Sequence, residues 1–536
     1  MGRLNFTSAL TSWLVVCLAI STVSGQQVGT NCSDSRIRRS WDTYNATEKA
    51  QYLEAVGLAM DLGFHQKFVQ IHVEFMSEKQ AHQNCMFIYW HRMLLLGYEN
   101  MLRSLDPKYR CLTLPYWDHL SAYARQAAGQ CNYLLGCTPF LTDSGGAMTG
   151  VSARLIIYNV SIAASYSTCV NQGILSHFCG NNSVCAQCVT RGSKNYLAST
   201  RYPGEASLGS IVQQVFTYSD SAKFTQAVEG GVHNTIHSVL NGVMAWFQSP
   251  ADPIFYLHHS LIDLLQVIYL KCQVGGTNVV LSAADKGSDP RWFSTCAKRT
   301  TGNYTSDDTI TMRANATDGT TLVNVWQDPN NILYPFFKDL PSKYVDYVDA
   351  KDLGNYSYSY AISGGLANMY QNCNNATKMA AVNGTITTLL ASRGKTTNRA
   401  SEHPTPIIEP GTSYDEKVKR WNVALYEAAR IVGYEEKAAR EQMEMVLCQY
   451  QADCLGGVED YTDLFRANFH IDGHTRCYNI VAGLKTGDLV IGIPQWKDIT
   501  NRFVPCAAYK KKTPMSDFAK AATTYATAAG TVSTSA

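Results

Sequence analysis

The chain of 536 residues has no basic tract and no excess of either charge: 45 Lys and Arg stand against 43 Asp and Glu, a net charge of +2. That balance implies neither nucleic acid nor an acidic surface as a partner. Beyond the N-terminus no run is apolar enough to cross a membrane, because the best candidate, Ile254 to Leu270, carries His258, His259 and Asp263. There is no internal repeat, which argues against a solenoid or a concatenated array. The C-terminal tail, Ala/Thr/Ser-rich from Lys520, lacks the apolar stretch of a lipid-anchor signal and reads as disordered over 511–536.

What is present at the N-terminus is a basic Arg3, an apolar centre from Trp13 to Ile20, and small residues up to Gly25. This predicts a signal peptide over 1–25 and a secreted mature chain with no membrane anchor. Of the 17 cysteines, Cys17 leaves with the signal, and the remaining even number in an oxidising compartment predicts disulfides. Cys185-Ala-Gln-Cys188, preceded by Cys169 and Cys179, also fits a zinc knot or a redox pair, but secretion favours ordinary disulfides. Sequons at Asn31, Asn45, Asn159, Asn181, Asn303, Asn315, Asn355, Asn375 and Asn383 point to the same compartment and avoid the histidine-rich stretches.

Of the 13 histidines, His65, His72, His82 and His91 fall in one short window and His233, His237, His258 and His259 in another. His233 and His237 are four apart, so a helix projects both from one face toward one metal ion. Asp252-Pro253 predicts a helix start, with Asp252 as N-cap, ahead of the apolar run from Ile254. Imidazole sets of this kind suit copper, zinc, iron or nickel. Two such sets on apolar helices predict two facing metals in a bundle.

Along the chain, Asn45-Ala-Thr-Glu48 is a capping signal for a first helix. Phe68, His72, Phe75 and Met76 keep helical spacing, and a further helix runs from Tyr89 to Leu105 before Asp106-Pro107 stops it. Residues 120–230 show no sustained period and predict a long disulfide-pinned excursion with some local structure. From Cys272 to about Gly365 short strands are expected, for example Asn278 to Leu281 and Thr309 to Met312. Residues 392–413 resemble a linker, Tyr414 to Tyr450 is helical in period, and Tyr461 to Pro505 is expected to be mixed. The division is thus 1–25, a metal-binding domain over 26–391 with bundle helices mainly within 60–105 and 230–271, a linker over 392–413, a C-terminal region over 414–510, and the tail.

Trp90-His91-Arg92, Leu114-Pro115-Tyr116-Trp117-Asp118, His233-x3-His237 and Asp252-Pro-Ile-Phe-Tyr-Leu-His258-His259 with Asp263, in this order, resemble the tyrosinase family of type-3 dicopper proteins. Tyr344 to Tyr360 and the cysteine-rich layout resemble molluscan and other invertebrate members. The resemblance covers roughly residues 40–375. It implies a mainly α fold, a four-helix-bundle core with long pinned loops and short strands, holding two copper ions that act with O₂ on a phenolic or catecholic substrate. It assigns His82 and His91, with His72 favoured over His65, to the first copper. It assigns His233, His237 and His259 to the second, with His258 a neighbour, because adjacent helical side chains diverge by about 100°. His119 is then structural. Glu229 and Asn234 resemble the carboxylate and amide that hold a water near the second copper. Where some relatives join a cysteine to the second ligand this chain has Gln80, so no thioether is expected, and Cys85 is expected in a disulfide or buried.

Asn234 and Ser238 are small and predict an open approach to the second copper. Rival readings are a catechol oxidase, a haemocyanin-like O₂ carrier, which concatenates units that this chain does not, an inactive matrix protein, and a zinc hydrolase, which His233-x3-His237 disfavours because it lacks the Glu of His-Glu-x-x-His. The sequence is silent on oligomeric state.

Overall fold

A computed structural model describes residue 32 and residues 36–149, 155–163, 166–180, 185–276, 279–373 and 404–509. The expected signal peptide, most of the linker, the tail and the sequons Asn31, Asn181, Asn375 and Asn383 lie outside these. The architecture is mainly helical. The helices that build it are α1 (Ala46–Asp61), α2 (Phe64–Val73), α3 (Phe75–Ala81), α4 (Phe87–Ser104), α5 (His119–Ala127), α6 (Leu208–Phe216), α7 (Ser221–Val228), α8 (Asn234–Leu240) and α9 (Ile254–Val274). The C-terminal region adds α10 (Ser413–Ile431), α11 (Glu436–Cys454), α12 (Asp463–Phe469), α13 (Arg476–Thr486) and α14 (Trp496–Phe503).

The capping box at Asn45 and Glu48 starts α1. The expected continuous helix through His72 and Phe75 is instead broken. Glu74 takes an extended conformation (φ −64°, ψ 131°) and its carboxylate accepts Ser77 N–H, capping α3. Phe75 consequently faces solvent, at 64% exposure, because a new helix resets the periodic face. α9 begins one residue later than expected. Asp252 still accepts Ile254 N–H at 3.1 Å but spends its carboxylate on buried Arg191, at 2.6 and 2.8 Å. Its far end closes on Gly275 at φ 79°, a left-handed position that glycine adopts without strain.

α4 and α9 pack against each other, α2 packs on α4, and α8 meets α9 where His237 faces His259. One buried ion cluster joins them. Arg92 of α4 donates to Asp263 of α9 at 2.5 Å, and Arg38 bridges Asp263 (3.5 Å) and Glu99 (3.1 Å). Arg38 enters on β1 (Arg36–Arg38), which pairs in parallel with β2 (Tyr358–Ile362) in the register Arg36 to Tyr358. Tyr358 and Tyr360 of β2 complete the cluster by donating their hydroxyls to Asp263.

Several expectations are corrected. The excursion carries local structure, as expected, in two short strand pairs, but α6 and α7 within it lack a long enough period to be read in isolation. Val279 to Leu281 is not a strand, and Thr309 makes only an isolated bridge; the hairpin there pairs Arg313–Asn315 with Leu322–Asn324. The described end of the expected linker is a strand, β3 (Ile407–Ile408), added in parallel to β2. Tyr461 to Pro505 is helical rather than mixed.

Eight disulfides use all sixteen cysteines after Cys17. Those of the 179–188 stretch are ordinary pairs, Cys179–Cys185 and Cys169–Cys188. Six bridges lie within residues 32–373 and two within 448–506, so none ties the C-terminal region to the core. That region is held by packing of α10 on α5 and α11 on α6, and by polar contacts around Glu205. The Glu205 carboxylate accepts Cys477 N–H at 2.7 Å, faces Glu444 with its partner Arg476, and is almost fully buried. Tyr123 and Tyr461 also feel its charge.

Two predictions arise here. Asp263→Asn leaves buried Arg92 without its carboxylate and Arg38 with Glu99 alone, and is expected to cost about 3–5 kcal/mol in denaturant unfolding. A change within experimental error would show that the cluster is dispensable. Burial pushes the Glu205 carboxyl from 4.5 up to about 7, with Glu444 adding to the rise and Cys477 N–H opposing it. Its contribution to docking is therefore full below 4.5 and lost as pH rises through about 7. Between about pH 4 and pH 8 the wild type should lose on the order of 3 kcal/mol more than Glu205→Gln does, measured as hydrogen exchange in α11 and α13. Identical pH profiles in the two proteins would refute it.

Candidate metal centre

α2 ends at Val73, so His72 sits in its last turn, whereas His82 follows α3 in an extended conformation and His91 lies in the first turns of α4. The break at Glu74 is what swings these three together. Their ligand atoms all lie within 4.8 Å of one another, and each residue is buried. His72 Nδ1 meets Phe247 O at 2.6 Å and His91 Nδ1 meets Phe87 O at 2.8 Å. A carbonyl only accepts, so both Nδ1 atoms carry the proton and both Nε2 atoms carry a lone pair. Those two lone pairs face each other at 3.4 Å. The arrangement is repulsive unless a cation lies between, and nitrogens held about 2.0–2.1 Å from one ion at a tetrahedral angle stand roughly 3.4 Å apart. A metal ion therefore fits the donor set.

In the second set the three ligand atoms within 4.8 Å of one another are those of His233, His237 and His258, with the expected His259 beside them. His233 closes a π-helical turn, Glu229–His233, and His237 follows one turn on in α8. His237 Nδ1 donates to Met244 O at 2.8 Å, which leaves its Nε2 lone pair 3.4 Å from His259 Nε2. His233 Nδ1 donates to Asn234 Oδ1 at 2.9 Å, so Asn234 orients a ligand candidate through its amide. His258, expected to point away, also borders this set, its ligand atom within 4.8 Å of those of His233 and His237. The two sets adjoin: the His91 ring stacks on His259 at 4.1 Å and 13°.

Burial holds these imidazoles neutral, the form that ligates. Desolvation and neighbouring histidines depress His72, His91, His233, His258 and His259 far below the usual value, His237 lies at about 3, and His82 is lowered by burial while Glu78 opposes the shift. His65 is outside the first set. Its two ring nitrogens are engaged by Tyr98 Oη (2.8 Å) and Ala251 O (3.2 Å). Glu229 is buried, accepts Gln83 N–H at 2.6 Å, and is raised to about 8 by burial against that hydrogen bond. Gln80 bonds Thr311 and Tyr344, and Cys85 pairs with Cys296.

Sequence reasoning missed Phe469. At the end of α12, its ring lies 5.9 Å from His82, 6.1 Å from His237 and 4.5 Å from Phe247. The segment is held down by Tyr461 Oη on Gly230 O (2.6 Å), Thr462 N on Ser238 Oγ (2.8 Å), Asn468 Nδ2 on Ala245 O (2.8 Å) and Gln83 Nε2 on Phe469 O (2.5 Å). The approach past Ser238, expected open, is thus covered. Nothing local in Asn468-Phe469-His470 marks a contact with residues more than two hundred positions upstream.

Residues 63–271 match the common central domain of tyrosinase. A tyrosinase of Streptomyces lincolnensis is 28% identical over 251 residues, covering 43% of this chain and 80% of that protein. One from Streptomyces glaucescens is 26% identical over 240 residues, with the same coverage. A solved polyphenol oxidase from Thermothelomyces thermophila is 18% identical with a TM-score of 0.39, covering 62% of this chain and 90% of that one.

Loaded with copper, the wild type is expected to hold two ions per chain by elemental mass spectrometry. His72→Ala should hold one and His65→Ala two, and the reverse pattern would transfer the ligand role to His65.

Proposed function

Through residues 63–271 the chain belongs to the tyrosinase family of copper oxidases, and on that premise we propose that it hydroxylates monophenols and oxidises o-diphenols to o-quinones with O₂. The observation that carries the proposal is the pair of adjoining buried imidazole sets, in each of which two Nε2 atoms stand 3.4 Å apart. The proposed ligands are His72, His82 and His91 for one copper and His233, His237 and His259 for the other. Copper held there supplies the binding and reduction of O₂. The overall conversion balances as monophenol plus O₂ to o-quinone plus water.

The chain's own residues position the reaction. Glu229, held by Gln83 N–H beside His82 and raised to about 8 by burial, is the group proposed to take the phenolic proton through a water once the charge of bound copper favours its ionised form. Asn234 keeps the His233 ring turned toward the metal. Phe247 and Phe255 wall the site with apolar rings, which suits a flat aromatic substrate. Eight disulfides support an extracellular setting, where quinones darken or crosslink a matrix.

The cover favours a second reading. With Phe469 against His82 and His237, O₂ is admitted more readily than a phenol, as in an O₂-binding protein. The enzyme reading holds the C-terminal region to be a removable shield, cut in the Pro-containing stretch between His403 and Pro410. Phe469→Gly in the full chain, or cleavage in that stretch, is expected to raise catechol oxidation at least tenfold, and equal rates would reject the shield. Tyrosine and dihydroxyphenylalanine assayed together on the opened protein decide between tyrosinase and catechol oxidase. Oxidation of the diphenol alone, even after priming with a trace of it, would remove the monophenol activity from the proposal.

A further inference from the structure

Two histidines of α9 border the second imidazole set: the ligand atoms of His258, His233 and His237 lie within 4.8 Å of one another, while His259 Nε2 lies 3.4 Å from His237 Nε2, so proximity does not exclude either. The His258 ring centroid is 5.3 Å from that of His233 and 5.1 Å from that of His237, and those of His259 are 4.9 and 5.6 Å. The hydrogen bonds behind His258 do choose. Tyr202 is fully buried, and among the described residues its hydroxyl has one partner, His119 Nδ1 at 2.5 Å. A buried hydroxyl that fails to donate costs about 1–3 kcal/mol, so Tyr202 donates and Nδ1 accepts. Neutral His119 then carries its proton on Nε2, which lies 2.8 Å from His258 Nδ1. His119 donates there, and the proton of His258 is left on Nε2. That nitrogen is buried without a protein partner beside His233 and His237. A protonated ring nitrogen has no lone pair to give a metal.

We infer that Tyr202 and His119 lock His258 in the tautomer that makes it a hydrogen-bond donor lining the second copper rather than a ligand. The inference rests on the dicopper reading above. His259 then supplies the third nitrogen, and the second copper keeps an open coordination position that a fourth imidazole would close. The polarity of the relay, set two residues back from the metal, decides which of two adjacent histidines coordinates. The opposite polarity would strand the Tyr202 proton and turn the His258 lone pair toward His233 and His237.

Copper per chain, read by elemental mass spectrometry on the full chain, tests this without recourse to activity. His258→Gln, which keeps volume and a donor, is expected to bind two coppers, and His259→Gln one. One copper in the first and two in the second would overturn the assignment. The lock itself is tested by adding Tyr202→Phe to His259→Gln. Freed of the hydroxyl, His258 can present its lone pair, and the double variant should recover toward two coppers per chain. If it stays at one while near-ultraviolet circular dichroism shows a native fold, the tautomer lock is wrong. A wild type that takes up no copper at all overturns the dicopper reading, and this assignment with it.

Discussion

A single buried ion pair, Arg92 with Asp263, keeps the two halves of the metal centre in register. Arg92 follows His91 directly on α4, and Asp263 lies one turn beyond His259 on α9. Whatever fixes this pair also fixes the stack of His91 on His259 through which the two imidazole sets adjoin. A charge pair at such depth adds little net stability, because the cost of dehydrating both ions offsets most of their attraction. Its effect is on geometry. Arg92 also donates to Tyr347 O and to Gln266, and Asp263 also accepts from Tyr358 and Tyr360. Sliding one helix along the other would leave those charges unpaired in an apolar interior, a penalty far larger than the pair's net contribution.

Residues 242–251, the irregular stretch between α8 and α9, connect metal geometry to access. Their carbonyls fix the tautomers of one ring in each set, His237 through Met244 and His72 through Phe247. The carbonyl of Ala251 also engages His65 and so helps keep that ring apart from the metal. The same stretch receives the C-terminal cover, since Asn468 binds Ala245 O and Phe469 packs on Phe247. Gln83 adds a second connection, with its backbone on Glu229 and its side chain on Phe469 O. The cover is thus joined to the groups that would perform the chemistry by hydrogen bonds and ring contacts alone. No disulfide cross-links the two regions.

Much of this was legible in the sequence wherever information is local. The Asn45–Glu48 capping box, the His233-x3-His237 spacing and the clustering of eight histidines each depend on residues close together in the chain. The resemblance carried by Trp90-His91-Arg92 and by His259 with Asp263 reached further, because such blocks preserve a tertiary arrangement in linear form. What periodicity alone misjudged was Phe75, since one capping carboxylate at Glu74 starts a new helix and resets the face. It also left α6, α7 and the helices after Tyr461 unread, because short helices with little period are stabilised by what they pack against.

By itself, then, the sequence determined which residue types were available to a metal and the spacing at which helices present them. Only the tertiary structure decided which ones converge. His65 and His72 lie two turns apart on similar faces, and what separates them is the Tyr98 hydroxyl and the Ala251 carbonyl, brought from 33 and 186 residues away. His258 and His259 are adjacent, and what separates them is the Tyr202–His119 relay. The cover at Phe469 is decided in the same way. A helix repeats every 3.6 residues and so announces its own face, but a hydrogen bond between distant segments leaves no period in the chain.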